Sequence, residues 1–304
     1  MKRAIIGTRG SALALWQANH VAGRLRDAHA GLEVELRIIK TKGDKIQDVP
    51  LAKVGGKGLF VKEIEEALRR GEVDLAVHSI KDLPTELVDG LTLAAITERE
   101  DPRDALVSRS GPLDELPAGA ILGTSSLRRR CQALALRPDL EVRDLRGNVD
   151  TRLRKLDEGL YDAVLLAAAG LRRLGHVERA TEILDPARMI PAVGQGALGI
   201  EVRLGEEDLV APLHHEPTAL RVRAERALLQ DLGGGCQVPV AAHATLSAES
   251  LELRGLVGHP SGAPLHRAES VGPVDAPEDL GRRVAADLIG QGGGRILEEV
   301  YGQG

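Results

Sequence analysis

Short aliphatic runs alternate with helical patterns over residues 3–174, and no other feature constrains the fold as strongly. RAIIG (3–7) reads as a strand, Thr8 to Ser11 as a turn, and Ala12 to Ala28 as a helix with Leu13, Trp16, Val21 and Leu25 on one face. Gly31 ends that unit, and EVELRII (33–39) is the next strand. Residues 41–58 carry lysines and glycines with little periodicity and are expected to form a mobile loop, with a lid over 42–57. Phe60 to Arg70 reads as a helix stopped by Gly71, and VDLAVHS (73–79) as a strand. This rhythm implies a mostly parallel sheet covered by helices.

The same order returns after residue 100. AILGTSSLRRR (120–130) reads as strand, serine-rich turn and helix. LEVRDLRGN (140–148) is a strand and turn, VDTRLRKLDEG (149–159) a helix, and DAVLLAAAGLRRL (162–174) a strand leading into a helix. Gly7-Thr8 pairs with Gly123-Thr124, and DLAVHS pairs with DAVLLA, in the same order. The expected class is therefore α/β: two similar doubly wound domains with ligands at the strand ends between them. After Gly199 the pattern changes. Pro217 is placed to open a helix running to about Leu232, closed by Gly233-Gly234-Gly235. Short strands and a last helix near 278–289 complete a small α+β domain.

Composition narrows what such a cleft can hold. The formal charge is −5, and Trp16, Phe60, Tyr161 and Tyr301 are the only aromatics of the Phe, Trp and Tyr types, which argues against nucleic acid. Positive charge is local instead. Lys40, Lys42, Lys45, Lys53, Lys57 and Lys62 crowd one segment, and no lysine follows Lys155. That distribution suits a small anionic ligand at a defined place. No run of about 18 apolar residues predicts a membrane span, and the N-terminus lacks a signal-peptide core, so a cytosolic protein is expected.

Two motif matches lead nowhere. GQGALG (194–199) fits a dinucleotide fingerprint, but its glycines precede a strand pattern instead of following one. GGKG (55–58) lacks the residues that complete a phosphate loop. His214 and His215 are adjacent, so their side chains converge poorly on one ion, and no metal is expected.

The chemistry concentrates at strand-to-helix turns. Ser11, and Ser125 or Ser126, stand where a helix begins, as N-caps beside free N–H groups and a positive dipole end. Arg9 flanks the first turn, Arg128 and Arg129 the second, and Arg146 and Arg152 a third. Arg172 or Arg173 follows a fourth. Guanidinium forks grip carboxylates, so four such turns predict a polyanion site. Lys81 and Asp82 leave the end of a core strand, where α/β folds carry active sites. Cys236 follows three glycines, which predicts an accessible thiol with space beside it, whereas Cys131 sits in an apolar helical pattern and is expected to be packed.

GTRGSALALWQA, LAKVGGKGLFVKEIE, AVHSIKDLPT, REDPRDAL, GTSSLRRRCQ, LRGNVDTRL, PAVGQGALGIE and GGGCQVP together resemble the porphobilinogen deaminase family, in order and over nearly the whole chain. The resemblance implies two lobes like those of periplasmic binding proteins and a third, cysteine-bearing domain. The boundaries are 1–97 with 191–212, then 98–190, then 213–304. It implies a transferase that joins four porphobilinogen molecules, with loss of ammonia, into linear hydroxymethylbilane. Chain growth starts from a dipyrromethane cofactor held by a thioether at Cys236, and a cytoplasmic monomer is implied. It implies catalytic roles for Asp82 and Lys81. Cofactor contacts are implied for Ser79, Lys81, Asp82, Thr124, Ser125, Ser126, Arg128, Arg129 and Arg146. Substrate contacts are implied for Arg9, Ser11, Lys53, Phe60, Arg146, Arg152, Arg173 and Gln195, Phe60 packing near the rings.

Overall fold

A computed structural model describes residues 3–45, 61–235 and 238–301. Lys53, Phe60, Cys236 and most of the expected lid lie outside the described residues.

The first lobe is built from β1 (Arg3–Thr8), α1 (Ala12–Ala28), β2 (Glu33–Ile38), α2 (Lys62–Arg69), β3 (Leu75–Ser79) and β4 (Leu91–Ile96). Its sheet takes in a distant strand, β10 (Leu198–Arg203), giving the order β2-β1-β3-β10-β4. The first three strands run parallel, and β10 is antiparallel to both β3 and β4. The second lobe comprises β5 (Asp104–Ser108), β6 (Ile121–Gly123), α3 (Leu127–Leu136), β7 (Glu141–Arg143), α4 (Val149–Asp157), β8 (Ala163–Ala167), α5 (Ala168–Arg173) and β9 (Glu182–Ile183). Its order, β7-β6-β8-β5-β9, repeats the first sheet position for position, with β5 standing where β10 stands.

Both sheets are buried on two faces, which explains why their central strands read as continuous apolar runs. Along β8, Ala163 and Leu165 join Leu106, Leu122 and Ala133 under α3, while Val164 and Leu166 join Leu153, Leu156 and Leu171 under α4 and α5. Each fully buried leucine of this kind contributes about 1.5–3 kcal/mol of transfer free energy.

The third unit packs α6 (Glu216–Asp231), α7 (Pro277–Gly290) and α8 (Gly293–Tyr301) on an antiparallel sheet of β11 (Val240–Leu246), β12 (Ser250–Gly258) and β13 (Leu265–Pro273). It is tied to the lobes by a buried ion pair. Glu225 of α6 accepts from Arg99 Nη1 at 2.6 Å and Nη2 at 3.1 Å, and from the backbone N–H groups of Gly194 and Ala244.

Several local expectations need correction. The buried face of α1 is Gln17, Ala18, Val21, Ala22 and Leu25. Trp16, five positions before Val21, lies about 140° around the helix from it and is 37% exposed. Lys42–Lys45 form a single helical turn inside the stretch expected to be loop. Pro217 is the second residue of α6, behind Glu216, and a further helix, α8, follows the one expected to be last. The glycines of GQGALG do precede a strand. They serve a close crossing of the chain: Gly194 has φ 66° and would drive a Cβ into Ile80, and Gly196 has φ 92° and would drive one into the carbonyl of Glu100.

Candidate active site

The two lobes present matching strand-to-helix turns. Ser11 caps α1 by accepting from the Ala14 N–H at 3.3 Å, and Ser126 caps α3 by accepting from the Arg129 N–H at 3.4 Å. Of the two serines that could cap α3, Ser125 has another task. Its hydroxyl donates to the Leu145 carbonyl and accepts from the Leu145 N–H, pinning the strand-end loop after β7. Thr124 is buried and accepts from the Ser126 N–H. Asn148 caps α4, with its Oδ1 2.9 Å from the Thr151 N–H. Two helix N-termini of the second lobe therefore leave positive dipole ends beside the arginines.

A pocket in the first lobe is lined by Arg9, Ser11, Gln17, His78, Ser79 and Asp82. Gln17 donates to the Ser79 hydroxyl at 2.9 Å and so fixes the end of β3. Lys81 and Asp82 follow in a single turn of 3-10 helix, Ile80–Asp82, that rests on the glycine crossing described above. Burial pushes the Lys81 ammonium down to about 8; Asp82 opposes the shift and Arg129 adds to it. Burial likewise brings the Arg152 guanidinium down to about 10, again with Arg129 reinforcing and Asp82 opposing. Asp82 is thus the nearby negative charge felt by cations from both lobes.

Arg128 and Arg129 are buried, and their forks already hold a carboxylate of the protein. Asp104 Oδ2 accepts from Arg128 Nη1 at 2.6 Å, and its Oδ1 accepts from Arg129 Nη2 at 2.8 Å and Nε at 3.1 Å. Burial alone would raise the Asp104 carboxyl, but the two guanidiniums outweigh it and hold the group well below the usual carboxylate range. Gln195, expected at the substrate, is buried, and its Nε2 donates to Asp104 Oδ1 at 2.9 Å and to the Pro102 carbonyl at 2.7 Å. Two guanidiniums against one carboxylate leave a surplus positive charge, which reaches Lys81. Asp104 lies within REDPRDAL, where its sequence neighbours alone point to no role. The signal was an acidic residue opening an otherwise apolar strand, DALVS.

The fourth turn resolves in favour of Arg173. Arg172 points to the acidic linker, 3.4 Å from Asp101 and 3.9 Å from Glu100. Arg173 donates to the Gly196 carbonyl at 2.7 Å and lies over the Trp16 ring. Arg152 donates to the Gly147 carbonyl at the turn before α4. The approach to Cys236 is also placed: Gly234 and Gly235 line a second pocket with Lys81, Pro84, Leu229 and Arg226, and Arg226 Nη2 donates to the Pro84 carbonyl at 2.7 Å. Cys131 is packed as expected. It is fully buried in α3, and burial pushes its thiol up to about 12.

Among the described residues no cluster of His, Cys, Asp or Glu could hold a metal ion, and no helix is long and apolar enough to cross a membrane.

Residues 4–211 match the family model "Porphobilinogen deaminase, dipyromethane cofactor binding domain", and residues 219–290 match "Porphobilinogen deaminase, C-terminal domain". A curated porphobilinogen deaminase from Pelobacter propionicus is 58% identical over 299 residues, covering 97% of this chain and 96% of its own length. Among solved structures, a lipoprotein from Treponema pallidum aligns with a TM-score of 0.43 at 14% identity, over 69% of this chain and 89% of that one. The periplasmic VFT2 domain of BvgS from Bordetella pertussis aligns with a TM-score of 0.39 at 15% identity, over 69% and 85%.

Proposed function

This chain belongs to the porphobilinogen deaminase family, and from that premise we propose how its residues divide the work of polymerising porphobilinogen into hydroxymethylbilane. The units are residues 1–97 with 191–212, residues 98–190, and residues 213–304 carrying Cys236. The enzyme acts as a cytoplasmic monomer.

The cleft fits a dipyrromethane with its four carboxylates. Lys81, Arg152 and the surplus charge of the Arg128–Arg129–Asp104 group converge there, beside helix ends capped by Ser126 and Asn148. Held by a thioether at Cys236, the group supplies a pyrrole α-carbon to which porphobilinogen units are joined. Arg128, Arg129, Arg146, Ser79, Thr124, Ser125 and Ser126 hold or position its acidic side chains. Arg9, Ser11, Lys53, Arg146, Arg152, Arg173 and Gln195 serve the incoming substrate, and Phe60 packs near the rings.

Asp82 stands at the end of β3, where positive charge on a pyrrole nitrogen has to be stabilised as ammonia leaves the substrate. Its carboxylate accepts the pyrrole N–H and offers a place for the proton lost on condensation. Lys81 beside it steadies substrate carboxylates.

The observation that carries the assignment of Cys236 is the pocket shared by Lys81, Gly234 and Gly235, which brings the chain leading into this cysteine beside the cationic cleft. Intact-mass measurement of the purified protein tests it. The expected result is one dipyrromethane above the sequence mass, kept in Cys131→Ser and absent, along with activity, in Cys236→Ser. An unmodified, fully active enzyme would overturn the assignment.

A further inference from the structure

We propose that Trp16 is a positioning residue for Arg173: with His20 it forms an aromatic bracket on the first lobe that seats this second-lobe guanidinium at the cleft margin. Trp16 and His20 lie one turn apart on α1, their rings stacked at 5.1 Å between centroids and 8° between planes. Arg173 Cζ lies 5.6 Å from the Trp16 centroid. Its Nη2 bonds the Gly196 carbonyl, in the segment that carries the chain back to the first lobe. The helices behind these side chains meet as well: Leu13 Cδ2 lies 3.9 Å from where a Cβ on Gly170 would stand.

The choice of partner has a chemical consequence. Neighbouring Arg172 is held by Glu100 and Asp101, whereas among the described residues Arg173 makes no ion pair. A ring face attracts a guanidinium without occupying the in-plane N–H groups that grip a carboxylate. The bracket therefore fixes Arg173 without an ion-pair partner among the described residues, leaving its fork open to an acidic ligand. Burial lowers both partners, Arg173 to about 10 against the opposing charge of Glu100, and His20 below its ordinary value with Arg24 and Arg173 adding to that shift. An uncharged His20 extends the aromatic stack without repelling the cation.

The inference rests on the reading of Arg173 as a substrate-holding residue, and the test separates the two. In the holoenzyme, Trp16→Leu is expected to raise KM for porphobilinogen by roughly three- to tenfold, as the loss of a half-exposed cation–π contact implies. Its kcat should stay within about twofold and the mass of the adduct should not change, while Trp16→Phe restores KM. Arg173→Gln should raise KM at least as far, and the double variant Trp16→Leu/Arg173→Gln should be no worse than Arg173→Gln alone. A normal KM in Trp16→Leu, with a raised KM in Arg173→Gln, overturns the bracket but leaves Arg173 in its role. A normal KM in Arg173→Gln overturns both. Trp16 is the chain's single tryptophan, so a folding-independent check is available in a variant that leaves it intact. Tryptophan emission should change in Arg173→Gln, and unchanged emission counts against the contact.

Discussion

The antiparallel strands β10 and β5 hold equivalent positions in the two sheets, yet the acid each one buries is balanced differently. Glu201 on β10 faces His78 on β3, with Oε2 3.0 Å from Nε2, and its other oxygen has no partner among the described residues. Asp104 on β5 faces two arginines and Gln195. The first lobe thus faces its buried acid with one imidazole, and the second with two guanidiniums and an amide. The two acids also stand at different levels of the repeated sheet: Asp104 pairs with Ala167 at the strand end, where Leu198 pairs with Ser79 in the first lobe, and Glu201 lies three residues further along, beside Ala76. The second lobe carries a fixed positive field at its strand end, and the first carries Lys81 and Asp82 there.

The sharpest way to break this comparison is to remove each acid's charge. Asp104→Asn leaves two buried guanidiniums uncompensated and should cost about 3–5 kcal/mol in denaturant unfolding. Because the Asp104 carboxyl is depressed, its stabilisation is complete above the unfolded value near pH 4 and is lost as the pH falls below it. The gap between wild type and Asp104→Asn should therefore be constant from neutral to mildly acidic pH and narrow only below that point. Asp82→Asn should show the opposite balance: near-normal stability, with turnover reduced about 10²- to 10³-fold. Normal turnover would remove Asp82 from the chemistry. Glu201→Gln should cost less than Asp104→Asn, about 1–2 kcal/mol, since one hydrogen bond is weakened and no fixed charge is stranded. Equal losses at Glu201 and Asp104 would show that the two lobes balance their buried acids alike.

The smallest effect concerns pH. Lys81, lowered to about 8, loses its proton and its hold on carboxylates as the pH rises through that value, so kcat/KM should fall on the alkaline side, at or above pH 8. Lys81→Arg should flatten that limb. In stability the sign reverses: the charged, buried ammonium is a cost below about 8 that is relieved between about 8 and the ordinary 10.5. A limb unaffected by Lys81→Arg would assign it to another group.

What the sequence disclosed depended on the range of the interaction. Ser11 and Ser126 were legible as caps because each bonds an N–H three residues on. The strand–turn–helix order was legible because its periodicity is local. Trp16 was misplaced because helical spacing cannot tell a face turned to its own sheet from one turned to another lobe. Asp104 was missed because its partners stand 24 and 25 residues away on α3. The bonds that Gln195, Arg128 and Arg129 make to it are tertiary facts of the same kind. Recognition of the family supplied roles that periodicity could not.

The insertion of β10 between β3 and β4 has a consequence for synthesis. Every strand of the second sheet lies within residues 104–183, so that sheet can close as soon as this stretch has emerged. The first sheet begins earlier but lacks an inner strand until residues 198–203 appear. At 5–20 residues per second, the hundred or so intervening residues take on the order of ten seconds. During that interval β3 and β4 expose the edges that β10 will bridge. The lobe that is translated first is the one that must wait, and a nascent chain that has emerged past residue 183 but not yet to 198 would display a closed second sheet beside an open first one.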